Sequence, residues 1–500
     1  MNKLYITTPL YYVNDKPHAG TAYSTVIADI FNRFHQFFSK ETLFLTGVDE
    51  HGQKCQQAAE GKNMDVQDHC DEMAQVFIKT WENLSIKYDV FYRTTSSEHK
   101  QCVQKALQKI FDRGFIYEST YEGWYSVSEE IFYKEKDLVD GKSPQGKLVT
   151  KITEKNYFFK MSQFKNQLIQ HLQDHPDFIY PSTRQNEVLS FVKNLEDLCI
   201  SRPKSRLKWG IPLPFDSDYV VYVWVDALLN YIFGAGLWKE SDSDFESWWK
   251  ESVHFIGKDI LITHAVYWPC LLMALDLPLP KKIVSHGWLL NQDLEKMSKS
   301  QGDILDPLEL AQQIGHDSLR YFFSSVRFGH DAPISQKMII QEHNQSLANN
   351  LGNLVQRVLT LIESSLAGTL PPPPSSLHPL QEKSMETCEK VSKYIHEFSI
   401  HMAVFEITEL LNQTNKFLEE TAPWNFISEK DKTAPILYTA LDVLRVAVSL
   451  LQPIIPNASQ EVLRRLGLPP QSFEQTKKVN QLKSGIVVKK ESPIFPRVRL

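Results

Sequence analysis

The first 115 residues alternate between two kinds of hydrophobic pattern. Short unbroken apolar runs cover 4–8 and 41–48, whereas apolar residues recur every three to four positions over 20–38, 65–84 and 99–113. The first pattern predicts strands buried on both faces, and the second predicts amphipathic helices. Strands that alternate with helices are typical of a parallel sheet covered by helices.

The pattern changes near residue 116 and returns near residue 215. Between these points, short aromatic runs separated by glycine, proline and charged residues predict a β-rich domain with one helix over 162–174. Apolar runs over 218–225, 253–256 and 283–286 then predict further strands of the first sheet.

Helical spacing dominates the last third of the chain, where we predict helices over 342–366, 380–419, 433–451 and 458–466. The predicted fold is α/β: a doubly wound parallel sheet of the Rossmann type, split by an inserted domain and followed by an all-α helical bundle domain. The expected domains are the first half of the α/β domain at 1–115, the insertion at 116–214, the second half at 215–290, a linking region at 291–340 and the bundle at 341–500.

Composition and charge narrow the class of protein. The chain has 500 residues and a net charge of −6, so a nucleic acid would have to be held by local basic patches. Six widely separated cysteines predict reduced thiols. The longest apolar stretch, 220–238, contains Asp226 and Asn230 and predicts a buried strand and helix rather than a membrane span. Without a signal pattern either, we expect a cytoplasmic protein with no membrane partner.

Two polar segments carry candidate chemistry. Pro17, His18 and Gly20 lie between the first strand and the first helix, where helix N–H groups and the helix dipole favour an anion such as phosphate. The alternative is that His18 only caps the helix and Gly20 only turns the chain. Farther along, the lysines of the sequence KMSKS, at 296–300, could clamp a polyphosphate, or could belong to a solvated surface loop.

The order of these segments resembles the class I aminoacyl-tRNA synthetases, whose signatures are written HIGH and KMSKS. The second signature is intact, whereas Thr21 stands where the first usually has its second histidine. Longer matches (TTPLYYVNDKPHAG, GVDEHG, ISRPKSRLKWGIPLP, YVWVDALLNY, FIGKDILITHAVYWP, SHGWLL and LANNLGNLVQR) resemble bacterial methionyl-tRNA synthetases over essentially the whole chain.

The resemblance implies roles for individual residues at the nucleotide site. The implied catalytic residues are His18, Thr21, Lys296 and Lys299, and the implied ATP-binding residues are these four with Gly20, Gly257 and Asp259. The KMSKS loop would close on the departing pyrophosphate. Because Thr21 can donate a hydrogen bond but cannot become cationic, we expect more of the work to fall on Lys299.

The resemblance also implies an amino-acid pocket and a tRNA contact. The implied methionine-binding residues are Leu10, Tyr12, Asp49, Trp224, Ala227, Leu228, Tyr231 and His264, with Asp49 on the α-ammonium. Without the resemblance, Trp224 and Tyr231 would be taken for core residues. Asn353, Arg357 and Trp424 match anticodon-reading positions, although their spacing alone also fits a solvated helix face and a packing contact.

The expected function is therefore activation of methionine with ATP and Mg²⁺, followed by transfer to tRNA(Met). The insertion lacks thiolates and imidazoles at 125–128 and 142–145, so we expect no structural zinc. We expect a monomer, because the chain ends without the β-barrel that makes some relatives dimeric. The alternatives are a class I synthetase for another amino acid and a catalytically silent tRNA-binding protein.

Overall fold

A computed structural model of the protein describes residues 3–126, 131–133, 135–144, 146–238, 244–297, 305–488 and 490–499. Lys299 and the remainder of 298–304 lie outside the described residues. The strands are β1 (Lys3–Tyr12), β2 (Glu41–Asp49), β3 (Val90–Arg93), β4 (Ile116–Ser126), β5 (Ile131–Tyr133), β6 (Thr150–Phe159), β7 (Ile179–Tyr180), β8 (Leu198–Cys199), β9 (Ser201–Pro203), β10 (Tyr219–Val221), β11 (Ser252–Gly257), β12 (Lys282–His286), β13 (Leu289–Leu290) and β14 (Ala332–Pro333).

Helices cover both faces of the central sheet and make up most of the C-terminal part of the chain. They are α1 (Ala19–Phe37), α2 (Gln53–Gly61), α3 (Val66–Asn83), α4 (Ser97–Asp112), α5 (Lys165–Asp174), α6 (Thr183–Val192), α7 (Val223–Gly234), α8 (Phe245–Trp249), α9 (Trp268–Leu275), α10 (Pro307–Ile314), α11 (His316–Ser325), α12 (Gln336–Glu342), α13 (Asn353–Leu366), α14 (Pro379–His396), α15 (Ile400–Thr421), α16 (Lys430–Leu451), α17 (Pro456–Arg465) and α18 (Phe473–Thr476). Short 3₁₀ helices span Glu135–Asp137, Met161–Phe164, Lys258–Ile260 and Pro423–Phe426, and π-helical segments span Thr263–Tyr267 and His343–Gly352.

The central sheet has six strands in the order β3-β2-β1-β11-β12-β7, and every neighbouring pair is parallel. This confirms the predicted doubly wound α/β fold. The strand order reverses between β1 and β11, and at such a point the carboxyl ends of parallel strands leave room for a ligand. Helix α1 starts beside this point and is buried along most of its length.

The strand predicted over 218–225 is wrong in extent and in partner. Only Tyr219–Val221 is extended, and it pairs antiparallel with β9 outside the central sheet, while helix α7 begins at Val223. An unbroken apolar run cannot distinguish a buried strand from a buried helix, and α7 is buried on nearly all sides. The sixth strand of the central sheet is instead Ile179–Tyr180, from within the predicted insertion.

The segment after α4 forms an antiparallel sheet in the order β5-β4-β6-β8, in which β4 and β6 pair from Ile116–Phe159 to Tyr125–Thr150. The helix predicted over 162–174 is a 3₁₀ turn followed by α5. The predicted domain limits themselves stay predictions.

The C-terminal helices pack as a bundle in which α16 is the core helix. Alone among the described helices, α16 is long and apolar enough to cross a membrane, but 83% of its most apolar window is buried inside the protein. The helix predicted over 380–419 is two helices, because Phe398 between α14 and α15 takes a left-handed conformation with φ of 57°.

A fully buried arginine joins the bundle to α1. Arg320 donates hydrogen bonds to the carbonyl oxygens of Ile454 and Pro453 at 2.8 and 3.0 Å, and it forms an ion pair with Asp29 of α1 at 2.7 Å. Helix α1 is therefore fixed between the central sheet and the bundle.

Candidate active site

His18 caps the N-terminus of α1 with its side chain. Its Nδ1 accepts hydrogen bonds from the backbone N–H groups of Gly20 at 3.0 Å and Thr21 at 3.4 Å. An imidazole nitrogen that accepts N–H bonds carries no proton, so the neutral ring carries its proton on Nε2. Part of the side chain stays exposed to solvent. The ring can therefore cap the helix through Nδ1 while Nε2 still carries a proton.

Two features keep His18 in this state. The surrounding protein disfavours the charged ring and lowers the pKa of His18, and the charge of Lys296 lowers it further, while Asp259 opposes both. Gly20 makes room for the cap, because a Cβ at this position would lie 2.9 Å from Cε1 of His18. The sequence analysis gave the anion contact and the cap as alternatives for His18; the structure shows the cap, and the contact with an anion stays a prediction.

Thr21 completes the cap instead of facing outward. Its Oγ1 accepts the backbone N–H of His18 at 2.9 Å and donates to the carbonyl oxygen of His18 at 2.8 Å. The hydroxyl hydrogen is therefore engaged within the protein, whereas the sequence predicted that Thr21 would offer it to a phosphate.

The carboxyl end of β11 brings a carboxylate to the same edge of the sheet. Gly257 ends this strand, and a Cβ there would lie 2.6 Å from Oδ1 of Asp259, so the carboxylate rests against the glycine backbone. Asp259 is exposed, and its charge acts on His18, His264 and His286. The predicted nucleotide residues Gly257 and Asp259 therefore lie near the α1 cap.

The described ends of the KMSKS segment also lie near α1. On one side, Lys296 pairs with the backbone of Leu290, and its charge acts on His18. On the other side, Leu305 accepts the backbone N–H of Ala19 at 3.0 Å. Lys296 is thus placed with the predicted nucleotide residues, and Lys299 lies outside the described residues.

Four aromatic side chains, called here the aromatic group, lie on the other side of the carboxyl ends of β1 and β2: Tyr12, Trp224, Tyr231 and His264. Tyr231 donates its hydroxyl hydrogen to Nε2 of His264 at 2.8 Å, and Nδ1–H of His264 donates to the carbonyl oxygen of Ile260 at 2.9 Å. The ring of Trp224 stands edge-on to Tyr12 and to His264, with centroids 6.4 and 6.3 Å apart. These four rings form one continuous contact surface.

Burial keeps this aromatic group uncharged. It lowers the pKa of His264 to about 4 and raises the pKa of Tyr231 far above its ordinary value. Tyr12 and Trp224 are only partly buried, so they retain surface for contact with a ligand, whereas Tyr231 and His264 are inside.

The remaining predicted pocket residues lie either at the carboxyl ends of β1 and β2 or inside helix α7. Tyr12 pairs with Asp49 across β1 and β2, and the negative charge of the buried Asp49 acts on Tyr231. Leu10 pairs with Gly47 and is partly exposed, so it too lies at the carboxyl edge. Ala227 and Leu228 are buried in α7 one turn after Trp224.

The sequence analysis missed a buried cluster of one aspartate and two histidines behind these residues. Oδ2 of Asp226 lies 2.7 Å from Nδ1 of His51, and Oδ1 lies 2.5 Å from Nε2 of His99. Burial would raise the pKa of Asp226, but the two histidines outweigh it and lower the pKa to about 2. This cluster ties the loop after Asp49 to α4 and α7. The sequence did contain a signal for this cluster, namely the acidic Asp226 within an apolar run. The sequence analysis used that residue only to argue that the run does not span a membrane.

A second candidate surface lies on the bundle. Asn353 and Arg357 are one turn apart on α13, and the guanidinium of Arg357 lies 5.6 Å from the ring centroid of Trp424. Trp424 is 41% exposed, so its indole is not simply a packing contact between helices. The structure therefore brings together an amide, a guanidinium and an accessible indole.

Within the described part of the chain, no group of three or more histidine, cysteine, aspartate or glutamate side chains is arranged to hold a metal ion. Residues 127–130, 134 and 145 of the predicted insertion lie outside that part. A zinc-free insertion stays a prediction.

Known proteins resemble the chain over nearly its whole length. The family described as tRNA synthetases class I (M) matches residues 4–151 and 136–359, and the anticodon binding domain of methionyl tRNA ligase matches residues 376–499. The methionine–tRNA ligase of Caldanaerobacter subterraneus subsp. tengcongensis is 41% identical over 99% of this chain and 78% of its own length. The corresponding ligase of Bacillus subtilis is 38% identical over 99% of this chain and 78% of its own length.

A solved structure gives the same result. Mycobacterium tuberculosis methionyl-tRNA synthetase in complex with methionyl-adenylate superposes with a TM-score of 0.94 at 36% identity, covering 99% of this chain and 100% of the other. On this similarity in sequence and structure, the chain belongs to the methionyl-tRNA synthetase family of the class I aminoacyl-tRNA synthetases.

Proposed function

We propose that this protein activates methionine with ATP, forming methionyl-adenylate and pyrophosphate, and then transfers the methionyl group to the 3′ end of tRNA(Met). The observation that carries the proposal is the meeting of two unlike sites at one sheet edge. The anion site at the cap of α1 and the uncharged aromatic group around Tyr231 flank the same strand ends.

In the first step, a carboxylate oxygen of methionine attacks the α-phosphorus of MgATP in line, and the bond from this phosphorus to the β-phosphate bridging oxygen breaks. Catalysis of such a step consists mainly of positioning and of stabilising charge on the phosphate oxygens. Nε2–H of His18 would supply a fixed donor, and the dipole of α1 and the charge of Lys296 would supply positive potential beside it. The N–H groups of Ala19, Gly20 and Thr21 are already bonded within the protein and would not contact the phosphates. We assign Lys299 the same role from the family motif.

The neighbouring residues would position the nucleotide. Asp259 is exposed at the end of β11, where a carboxylate can accept hydrogen bonds from ribose hydroxyls. Gly257 leaves space for this carboxylate, because any side chain at the glycine would begin only 2.6 Å from Oδ1 of Asp259. Thr21 and Gly20 would act through the cap that orients His18.

The aromatic group suits a methionine side chain, which is apolar, flexible and only a weak hydrogen-bond acceptor. Tyr12 and Trp224 would contact the thioether chain, with Leu10, Ala227 and Leu228 completing the apolar wall. Tyr231 and His264 would set its closed end, and Asp49 would hold the α-ammonium. Since one methylene is worth only about 1–3 kcal/mol, homocysteine should also be activated to some extent.

In the second step, a hydroxyl of the terminal tRNA ribose attacks the carbonyl carbon of methionyl-adenylate, and AMP leaves. Asn353, Arg357 and Trp424 would select the tRNA through its unpaired anticodon bases, by hydrogen bonds and by stacking on the exposed indole. A monomeric state and a cytoplasmic location are further proposals, and light scattering on the purified chain tests the former.

The experiment that tests the proposal is ATP–pyrophosphate exchange with each of the twenty amino acids in turn, without tRNA. Exchange with methionine and with no other amino acid is the expected result. Exchange with a different amino acid would assign another specificity, and no exchange together with tRNA binding would favour a catalytically silent tRNA-binding protein.

A further inference from the structure

Two lysines contact the indole of Trp288 at the edge of the proposed nucleotide site. Nζ of Lys258 lies 4.0 Å from the centroid of the indole, and Nζ of Lys296 lies 4.4 Å from it. Both distances are within the range of a cation–π contact. Trp288 belongs to none of the groups described above, and the sequence analysis gave it no role of its own.

The two lysines differ in how their charge is balanced. Nζ of Lys258 lies 2.6 Å from Oδ2 of Asp331, and the backbone N–H of Trp288 donates to Oδ1 of the same carboxylate at 2.9 Å. Lys258 is therefore held in an ion pair. Lys296 is exposed and has no carboxylate partner among the described residues, so its charge is available to an anion.

The backbone fixes the indole and Lys296 relative to each other. The carbonyl oxygen of Trp288 accepts the N–H of Ala332 at 3.0 Å, next to the β13–β14 pair, and Lys296 forms a β-bridge with Leu290. A Cβ on Gly287 would lie 2.1 Å from the backbone of His330, so the chain before Trp288 is closely packed as well. The backbone segments that carry the indole and Lys296 are thus tied together by these contacts.

We propose that Trp288 is a positioning residue that acts through Lys296: its indole face holds the unneutralised ammonium beside the α1 cap before the polyphosphate arrives. This inference rests on the proposed function, since the anion in question is the triphosphate of ATP or the pyrophosphate product. The charge of Lys296 already acts on His18, which supports this location. Holding the ammonium in place removes part of the ordering cost of binding.

The test compares Trp288→Leu, which removes the aromatic face, with Trp288→Phe, which keeps one. A cation–π contact at an exposed site corresponds to about a two- to five-fold change in affinity. We therefore expect Trp288→Leu to raise the KM for ATP by about that factor, with the KM for methionine unchanged and most of the effect recovered in Trp288→Phe. Trp248 provides a matched control, because Nζ of Lys3 lies 4.5 Å from its ring, and we expect Trp248→Leu to leave both KM values unchanged.

A double-mutant cycle with Lys296→Met decides whether Trp288 acts through this lysine. If it does, Trp288→Leu adds nothing in the Lys296→Met background. An equal effect in both backgrounds, or equal rises in the KM for ATP and for methionine, would overturn the inference. Trp288→Met replaces Trp288→Leu if that variant does not fold.

A binding measurement separates this inference from the proposed function. If the wild-type protein shows no exchange, the proposed function fails, whereas calorimetric titration with magnesium pyrophosphate still tests Trp288. Binding that is about two- to five-fold weaker in Trp288→Leu supports the inference, and unchanged binding overturns it.

Discussion

The two functions of His18 can be separated by substitution. Asparagine is a good N-cap residue, because its side-chain oxygen can accept the N–H bonds of Gly20 and Thr21 that Nδ1 accepts now. With Oδ1 in the place of Nδ1, the N–H groups of the shorter asparagine side chain do not reach the position of Nε2–H of His18. Alanine removes both the cap and the donor. Comparison of His18→Asn with His18→Ala therefore separates the effect of the donor on activity from the effect of the cap on stability.

The magnitudes follow from the contacts. Loss of one fixed donor to charge that develops in the transition state costs about 10²- to 10³-fold in rate. Both variants should lose this much in the methionine-dependent exchange rate. Loss of an N-cap costs about 1 kcal/mol, so His18→Ala should lose about that much in the free energy of unfolding, while His18→Asn should stay near the wild type.

Initial rates of ATP–pyrophosphate exchange at saturating methionine and ATP measure the first effect, and equilibrium urea unfolding measures the second. If His18→Asn retained wild-type exchange, His18 would be a cap only, and the proposed donor role would be wrong. If His18→Ala unfolded at the wild-type urea midpoint, the cap would contribute nothing measurable.

Gly20 provides a related test of the same geometry. A Cβ at this position would lie 2.9 Å from Cε1 and 3.1 Å from Nδ1 of His18, so Gly20→Ala should push the ring out of the cap. We expect a loss of about 1 kcal/mol in stability together with at least a ten-fold slower exchange. Wild-type exchange in Gly20→Ala would show that the ring position is not critical. Ala22→Gly, farther along α1, is the control for altered helix propensity.

Further predictions concern the aromatic group, its pH dependence and the bundle surface. Tyr231→Phe leaves the buried Nε2 of His264 without its donor, so it should lower the free energy of unfolding by about 1–3 kcal/mol. It should also raise the KM for methionine more than the KM for ATP, and equal rises in the two KM values would contradict the proposed pocket. Burial lowers the pKa values of His264 and His35 to about 4 and 3, so between pH 6.5 and pH 4 the unfolded chain binds protons that the folded protein does not. Stability measured by urea unfolding should therefore fall as the pH decreases below 6.5, and His264→Asn should reduce this slope. Trp424→Ala removes the accessible indole beside Arg357. It should lower kcat/KM for aminoacylation about ten-fold or more and leave pyrophosphate exchange unchanged. A parallel fall in the exchange rate would show a general structural defect.

Local hydrophobic patterns predicted the elements that local interactions dominate. Strand β1, the turn at His18 and helix α1 follow directly from an apolar run, a cap and a helical repeat in adjacent residues. The same patterns failed where an apolar run fits two structures. The apolar run over 218–225 predicted one buried strand, but helix α7, which is buried on nearly all sides, begins within it at Val223. The left-handed conformation of Phe398 divides one predicted helix into two.

The candidate site shows the same difference between what local sequence predicts and what long-range packing decides. The sequence by itself determined which residues are candidates for the chemistry: His18 and Gly20 at the cap, Asp259 after a strand, and Lys296 in the KMSKS motif. Only the tertiary structure decided their contacts. His51 and His99 reach Asp226 across 175 and 127 residues of chain, and Trp288 meets Lys258 and Lys296 only because separate strands end side by side. Periodicity reports which face of an element is buried, whereas an ion pair or a shared aromatic face depends on which elements pack together, and that is fixed only when the whole chain folds.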